Sequence, residues 1–180
     1  MKKSLLLLCV VLASYSLEAQ TNTPAPSPSS TLTQKVGFTD VTIEYSRPSM
    51  RGRAIFGGLV PFDKVWRTGA NARTKITFSD DVTVDGQKLA AGSYAVYTKP
   101  GATSWEVFFY TDADGGGTPQ NWEESKIAAK TKAEVFTLPM SVETFTMTID
   151  DLSSGSAATL GMFWDTTYVG VKFEVPTTKK

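Results

Sequence analysis

Apolar residues in this chain recur at every second position, and that spacing fixes the class of fold. A strand sends successive side chains to opposite faces, so period two buries one face of a sheet. Val41, Ile43 and Tyr45 alternate with Thr42 and Glu44, and Ile76 and Phe78 alternate with Lys75, Thr77 and Ser79. Val82 to Val84 runs into Asp85-Gly86, the favoured pair for a two-residue hairpin, and Gln87 to Leu89 returns. Tyr94 to Thr98 is turned by Pro100-Gly101 into Trp105 to Tyr110, apolar on both faces and therefore read as a central strand. Lys132 to Leu138 is stopped by Pro139; Phe145, Met147 and Ile149 then alternate with threonines. Leu160, Met162 and Trp164 lead through Asp165-Thr166 into Val169, Val171, Phe173 and Val175. Short strands with turn signals roughly every eight to twelve residues predict an all-β, single-domain β-sandwich or jelly roll of about nine or ten strands. One short helix is expected over 121–130, where Asn121 is placed to cap, Glu124 to complete a capping box and Ala128-Ala129 favour helix.

The first 33 residues have a different character. Residues 1–19 read as a signal peptide: Lys2 and Lys3 form the charged start, Leu5 to Ala13 the apolar stretch, and Ala19 the cleavage residue. That stretch is too short to span a bilayer. Leu8 before Cys9 is not the small residue that lipid attachment wants, so the expectation is a periplasmic or secreted protein with no lipid anchor and no transmembrane segment. Residues 20–33, rich in Pro, Ser and Thr, are expected to be a disordered leader, with the domain over 34–176.

Composition removes whole classes of chemistry. The chain has no histidine, and its one cysteine falls inside the expected signal peptide. A Ser-His-Asp triad, a Cys-His dyad and a histidine-based zinc site are excluded. Eighteen Lys plus Arg balance eighteen Asp plus Glu, which argues against a general nucleic-acid binder. No cofactor is implied, and the sequence sets no oligomeric state.

All five arginines, Arg47, Arg51, Arg53, Arg67 and Arg73, fall within residues 45–74, while lysine carries the positive charge elsewhere. Such segregation asks for the planar, permanently charged fork of guanidinium. A long connection with little regular pattern is either functional or packed on its own side chains. If Arg51-Gly52-Arg53 is extended, its two arginines share a face. Arg47 and Arg67 would join them, with Ser49, Thr68 and Asn71 as neutral partners and Trp66 as a stacking platform. That set would clamp an anionic small molecule or a glycan. The alternative reading has the arginines bonding the protein's own carbonyls and carboxylates such as Glu44 or Asp63, with Trp66 an ordinary core anchor.

Two weaker constellations remain. Asp112, Asp114, Gly117 and Glu123 fall at positions 1, 3, 6 and 12 of a calcium loop, but Gly116 stands where position 5 needs a ligand and a strand precedes the run. A solvated turn is the simpler reading. The scattered carboxylates and Ser49 supply no evident catalytic pair. Catalysis is left open, with the balance against it.

The run SRPSMRGRAIFGGLVPFDKVWRTGAN and the phrases AAGSYAVYT, VETFTMTIDDL and TLGMFW resemble a secreted bacterial family, domain of unknown function 2911, over essentially the whole expected domain. The resemblance implies a single exported β-sandwich and no known activity. The chain departs from the family pattern at Ala72-Arg73, where members usually carry an acidic residue, and in its glycine-rich loop after Tyr110. The resulting expectation is non-catalytic binding of an anionic or saccharide-like ligand, or of a partner, through the 47–71 loop. The alternatives are a hydrolase or lyase on an anionic polysaccharide, and a structural domain whose arginines hold the loop.

Overall fold

Each alternating run becomes a strand with its apolar members inside. The computed structural model describes residues 23–178, so the expected signal peptide lies outside the described residues. Nine strands follow in order: β1 (Ser29–Val36), β2 (Thr39–Ser46), β3 (Lys75–Phe78), β4 (Val82–Val84), β5 (Gln87–Leu89), β6 (Gly92–Lys99), β7 (Ser104–Tyr110), β8 (Ile127–Asp150) and β9 (Ala157–Glu174). All pairings between these strands are antiparallel, in the order β1-β2-β3-β6-β7-β8-β9-β4-β5. The sheet is not a closed barrel; it is the β-sandwich-like, all-β fold that the period-two pattern requires.

The long strand β8 lets one sheet supply both layers. Its first part pairs with β7, from Ile127 opposite Tyr110 to Glu134 opposite Ser104. Beyond Val135 it pairs with β9, with register shifts between Thr137 and Val142 and again between Val142 and Thr146. Extra residues of this kind bend and twist a strand. Strands far apart in the order then meet across the core: Phe78 of β3 lies 5.6 Å from Phe173 of β9, and Tyr45 of β2 lies 5.9 Å edge-on to Phe145 of β8. The Tyr45 hydroxyl also accepts the buried Met147 N–H at 3.0 Å. One apolar cluster runs from Val36 to Val175 through every strand.

Two expectations change. The expected leader shortens, because Ser29–Thr33 belong to β1. Leu32 packs against the core and Val36 is buried, so a polar-looking segment has enough apolar residues on one face to pair along β2. The expected helix over 121–130 shrinks to a single 3-10 turn at Glu124–Lys126, after which β8 begins. Ala129 sits opposite Phe109 and Ala133 opposite Trp105, both buried. Burial against β7 outweighs the few tenths of a kcal/mol that favour alanine in helix.

Phe145 is fully buried and touches Tyr45, Trp66 and Trp164. Phe145→Ala should therefore cost about 3–5 kcal/mol, read from urea unfolding at unchanged slope.

Candidate functional site

The arginine segment starts where β2 stops. Pro48 has no N–H for a ladder, but its carbonyl accepts the Phe145 N–H at 2.9 Å, and the Met50 N–H donates to Glu143 O at 2.8 Å. Ser49 and Thr144 bridge, their hydroxyls 3.1 Å apart. The chain is thus stitched to β8, and Arg47 completes the seam: its Nε donates to Phe145 O at 3.2 Å and its Nη2 to Thr146 Oγ1 at 2.8 Å.

Arg51 and Arg53 do not share an extended face. Arg51 has φ 51° and Gly52 φ 71°, so the chain turns there. Arg53 folds back onto its own turn, with Nε on Met50 O at 2.8 Å and Nη2 on Ser49 O at 2.7 Å. The Arg51 N–H reaches Glu143 Oε1 at 2.9 Å, and its Nη2 reaches Pro26 O at 3.0 Å. Asn71 donates to Ser27 O at 3.0 Å, and the Arg47 N–H to Pro28 O at 2.9 Å. Three successive leader carbonyls are therefore gripped by three residues expected to hold a ligand.

Trp66 is a core anchor, not a platform. It stacks on Trp164 at 5.8 Å and 19°, meets Phe145 edge-on at 5.2 Å, and also contacts Phe56 and Trp105. Its Nε1 donates to Gly69 O at 3.1 Å. Thr68 is buried, with its hydroxyl on Thr98 Oγ1 at 3.2 Å and its carbonyl accepting Thr74 Oγ1 at 2.6 Å. Glu44 and Asp63 are not the arginines' acceptors either: Glu44 pairs with Lys75 at 2.9 Å, and the hydrogen bonds of Arg47, Arg51, Arg53 and Arg73 go mainly to carbonyls. The eight expected ligand residues do not converge on one point.

Arg73, which the expected set omitted, holds the glycine-rich loop. Its Nη1 donates to Asp112 O at 2.8 Å and Asp114 O at 2.7 Å, and stands 2.9 Å from Asp112 Oδ2. Asp114 lies 3.8 Å from Lys75, and Glu123 pairs with Lys126 at 2.7 Å. The three carboxylates of the calcium reading thus face three different cations of the protein. Among the described residues no group of three acids stands close enough to hold a metal ion.

Arg67 is different. It has no hydrogen-bond acceptor among the described residues, and its Nε is buried. Trp66 pairs with Thr98, both hydrogen bonds formed, and turns its ring into the core. The neighbours of Trp66 must then face the other side of the sheet. Val65 does: it packs on a second cluster of Ala95, Tyr97, Phe108 and Tyr110, closed by Trp122 and Ile127. Sequence reasoning found the second buried face in the run WEVFFY but not its cover, a tryptophan from a loop.

Burial raises the Tyr97 phenol to about 12, opposed by Arg73 and reinforced by Asp112. Its hydroxyl donates to Gly117 O at 3.3 Å. Lys75 is raised by its hydrogen bond to Glu44. It lines a groove of about 310 Å³ together with Ser29, Thr31, Ser46, Arg73 and Asp114.

The geometry defines an antiparallel β-sandwich-like domain clasped by an arginine-rich crossover. Residues 27–173 match the family described as protein of unknown function (DUF2911), and the chain belongs to that family. No curated protein matches the chain, and no solved structure does. Among the described residues no helix is long and apolar enough to cross a membrane.

Arg47→Lys cannot reproduce both seam bonds and should destabilise by about 1–3 kcal/mol, while exposed Arg53→Lys should cost under about 1 kcal/mol, both read by urea unfolding. Because Tyr97 holds its proton more tightly folded than unfolded, its contribution is complete below about pH 10 and is lost as pH rises through about 12. Tyr97 alone should lower stability there by up to about 1.4 kcal/mol per pH unit, and Tyr97→Phe should reduce the slope by that share, leaving the part owed to Tyr94 and Tyr168, which burial also raises.

Proposed function

We propose that this chain is a non-catalytic binding domain, exported by residues 1–19, that takes an anionic or saccharide-like ligand at Arg67. The observation that carries this is a contrast. Arg47, Arg51, Arg53 and Arg73 all make side-chain hydrogen bonds within the protein, whereas Arg67 makes none among the described residues, and its Nε, like that of Arg73, is buried without an acceptor. A buried donor without an acceptor costs about 1–3 kcal/mol, so a carboxylate or sulfate supplying one gains more than an ordinary surface contact. The other candidates, Arg47, Ser49, Arg51, Arg53, Trp66, Thr68 and Asn71, frame the position instead of touching the ligand.

A second reading, a structural domain, draws on the same contrast from its other side: four arginines spend their forks on holding the loop. The hydrolase or lyase reading has less behind it. The lyase form wants a tyrosine that gives up a proton beside an arginine, and Tyr97 is pushed the wrong way, to about 12.

Thermal melts against sulfate, phosphate, citrate and uronic-acid oligomers separate the readings. An anion at a hundred times its Kd adds about 2.7 kcal/mol, or roughly 5–10 °C for a domain of this size. The rise should survive Arg53→Lys and vanish in Arg67→Gln, whose own melt should stay at or above that of the parent. A flat panel, or a rise indifferent to Arg67, rejects the binding site.

A further inference from the structure

Away from the arginine segment, the outer face of β8 and β9 carries three aromatic rings in a row. Met162, Trp164, Val169 and Val171 are buried, so their neighbours Phe163 and Tyr168 point outward. Five residues of extended strand span about 17 Å. The centroids of these two rings nevertheless lie 4.6 Å apart, with a tilt of 35°. The bend at Asp165, φ 52°, folds them together where β8 shifts register between Val142 and Thr146. Phe136 stands opposite Tyr168 in the ladder, its ring 6.1 Å away, and is 55% exposed.

The middle ring lies over glycine. A Cβ at Gly170 would stand 2.7 Å from Tyr168 Oη and 2.9 Å from Thr159 Cγ2. One at Gly161 would stand 3.2 Å from Tyr168 Cε2 and collide with Thr148 Oγ1. A side chain at either position would push the ring away. Two threonine–aspartate pairs bracket it: Thr148 Oγ1 donates to Asp150 Oδ2 at 2.5 Å, and Thr159 Oγ1 to Asp151 Oδ2 at 2.7 Å. Each pair uses one oxygen of its carboxylate. Burial raises the Tyr168 phenol, and Asp150 and Asp151 add to it, so both carboxylates act on the polar end of the ring. A groove of about 360 Å³ continues from Thr159 and Asp151 past Ser153, Ser154 and Lys172.

We propose that Phe136, Tyr168 and Phe163 form a platform for a neutral oligosaccharide, whose hydroxyls donate to Asp150 and Asp151. The face of an aromatic ring is electron-rich and takes the polarised C–H face of a pyranose. Exposed apolar surface rimmed by polar groups is the usual mark of such a binding surface. Charge decides the class of sugar. Two carboxylates against the groove's one lysine, Lys172, repel uronate and sulfate groups and accept hydroxyls. Shape decides against a cation: the rings pack on one another as a strip and do not wall a gap. The inference draws on no arginine and is independent of the site at Arg67.

Cellohexaose, xylohexaose and mannohexaose are the probes, with a galacturonate hexamer and tetramethylammonium as counter-probes. The readout is the Gly161 and Gly170 N–H signals in a nitrogen-15 correlation spectrum of the protein. At least one neutral hexamer should shift both signals saturably, and roughly tenfold more tightly than either counter-probe. Phe136→Ser, at an exposed position, should weaken that binding roughly tenfold while the melting temperature stays close to that of the parent. Three neutral hexamers that leave both glycines unmoved overturn the platform, as does equal binding of galacturonate or tetramethylammonium. Shifts that follow protein concentration alone would mean that a second copy of the chain covers this face, and they overturn it too. Sugar binding lost in Arg67→Gln but kept in Phe136→Ser belongs to the other site and has the same consequence.

Discussion

The packing of Trp66 between the two layers is the contact on which the arrangement depends. Its ring lies among Phe56, Trp105, Phe145 and Trp164, which come from the crossover itself, β7, β8 and β9. A large aromatic that packs onto the core from a loop holds that loop's path. Once Trp66 is in place, Val65 packs on the outer cluster, and Thr68, with φ 55°, turns the chain back toward Thr74. Arg47 at one end of the segment and Arg73 at the other then tie it to β8 and to the glycine-rich loop.

The segregation of arginine from lysine has a physical explanation in this geometry. A crossover without a ladder leaves carbonyls unpaired, and a guanidinium fork can satisfy two acceptors from one side chain. Arg53 does so for Ser49 and Met50, and Arg73 for Asp112 and Asp114. An ammonium group is a point charge with freely turning donors and holds such a pattern less well. The same logic accounts for the leader. Pro26, Ser27 and Pro28 present carbonyls in succession, and Arg51, Asn71 and the Arg47 N–H take one each.

Arg73 faces the glycine-rich loop whose carbonyls it binds, and Ala72 bridges Gly116 beside it. Read in sequence, these were unconnected, since 39 residues separate Arg73 from Asp112. Their coupling is a property of the fold.

The alternation of Val41, Ile43 and Tyr45, or of Phe145, Met147 and Ile149, was enough to set strands and their inner faces, because period two is local and burial follows from it. The fate of residues 121–130 was not local: Ala128 and Ala129 favour helix until β7 lies alongside. The site divides in the same way. That the arginines matter was legible from their confinement to one stretch, and so was the core alternative for Trp66. Which of them has no acceptor depends on carbonyls that arrive from β8, the leader and the glycine-rich loop. Sequence set which side chains could bind; only the closing of the sheet at β8 decided that four arginines bind the protein and that Arg67 finds no acceptor among the described residues.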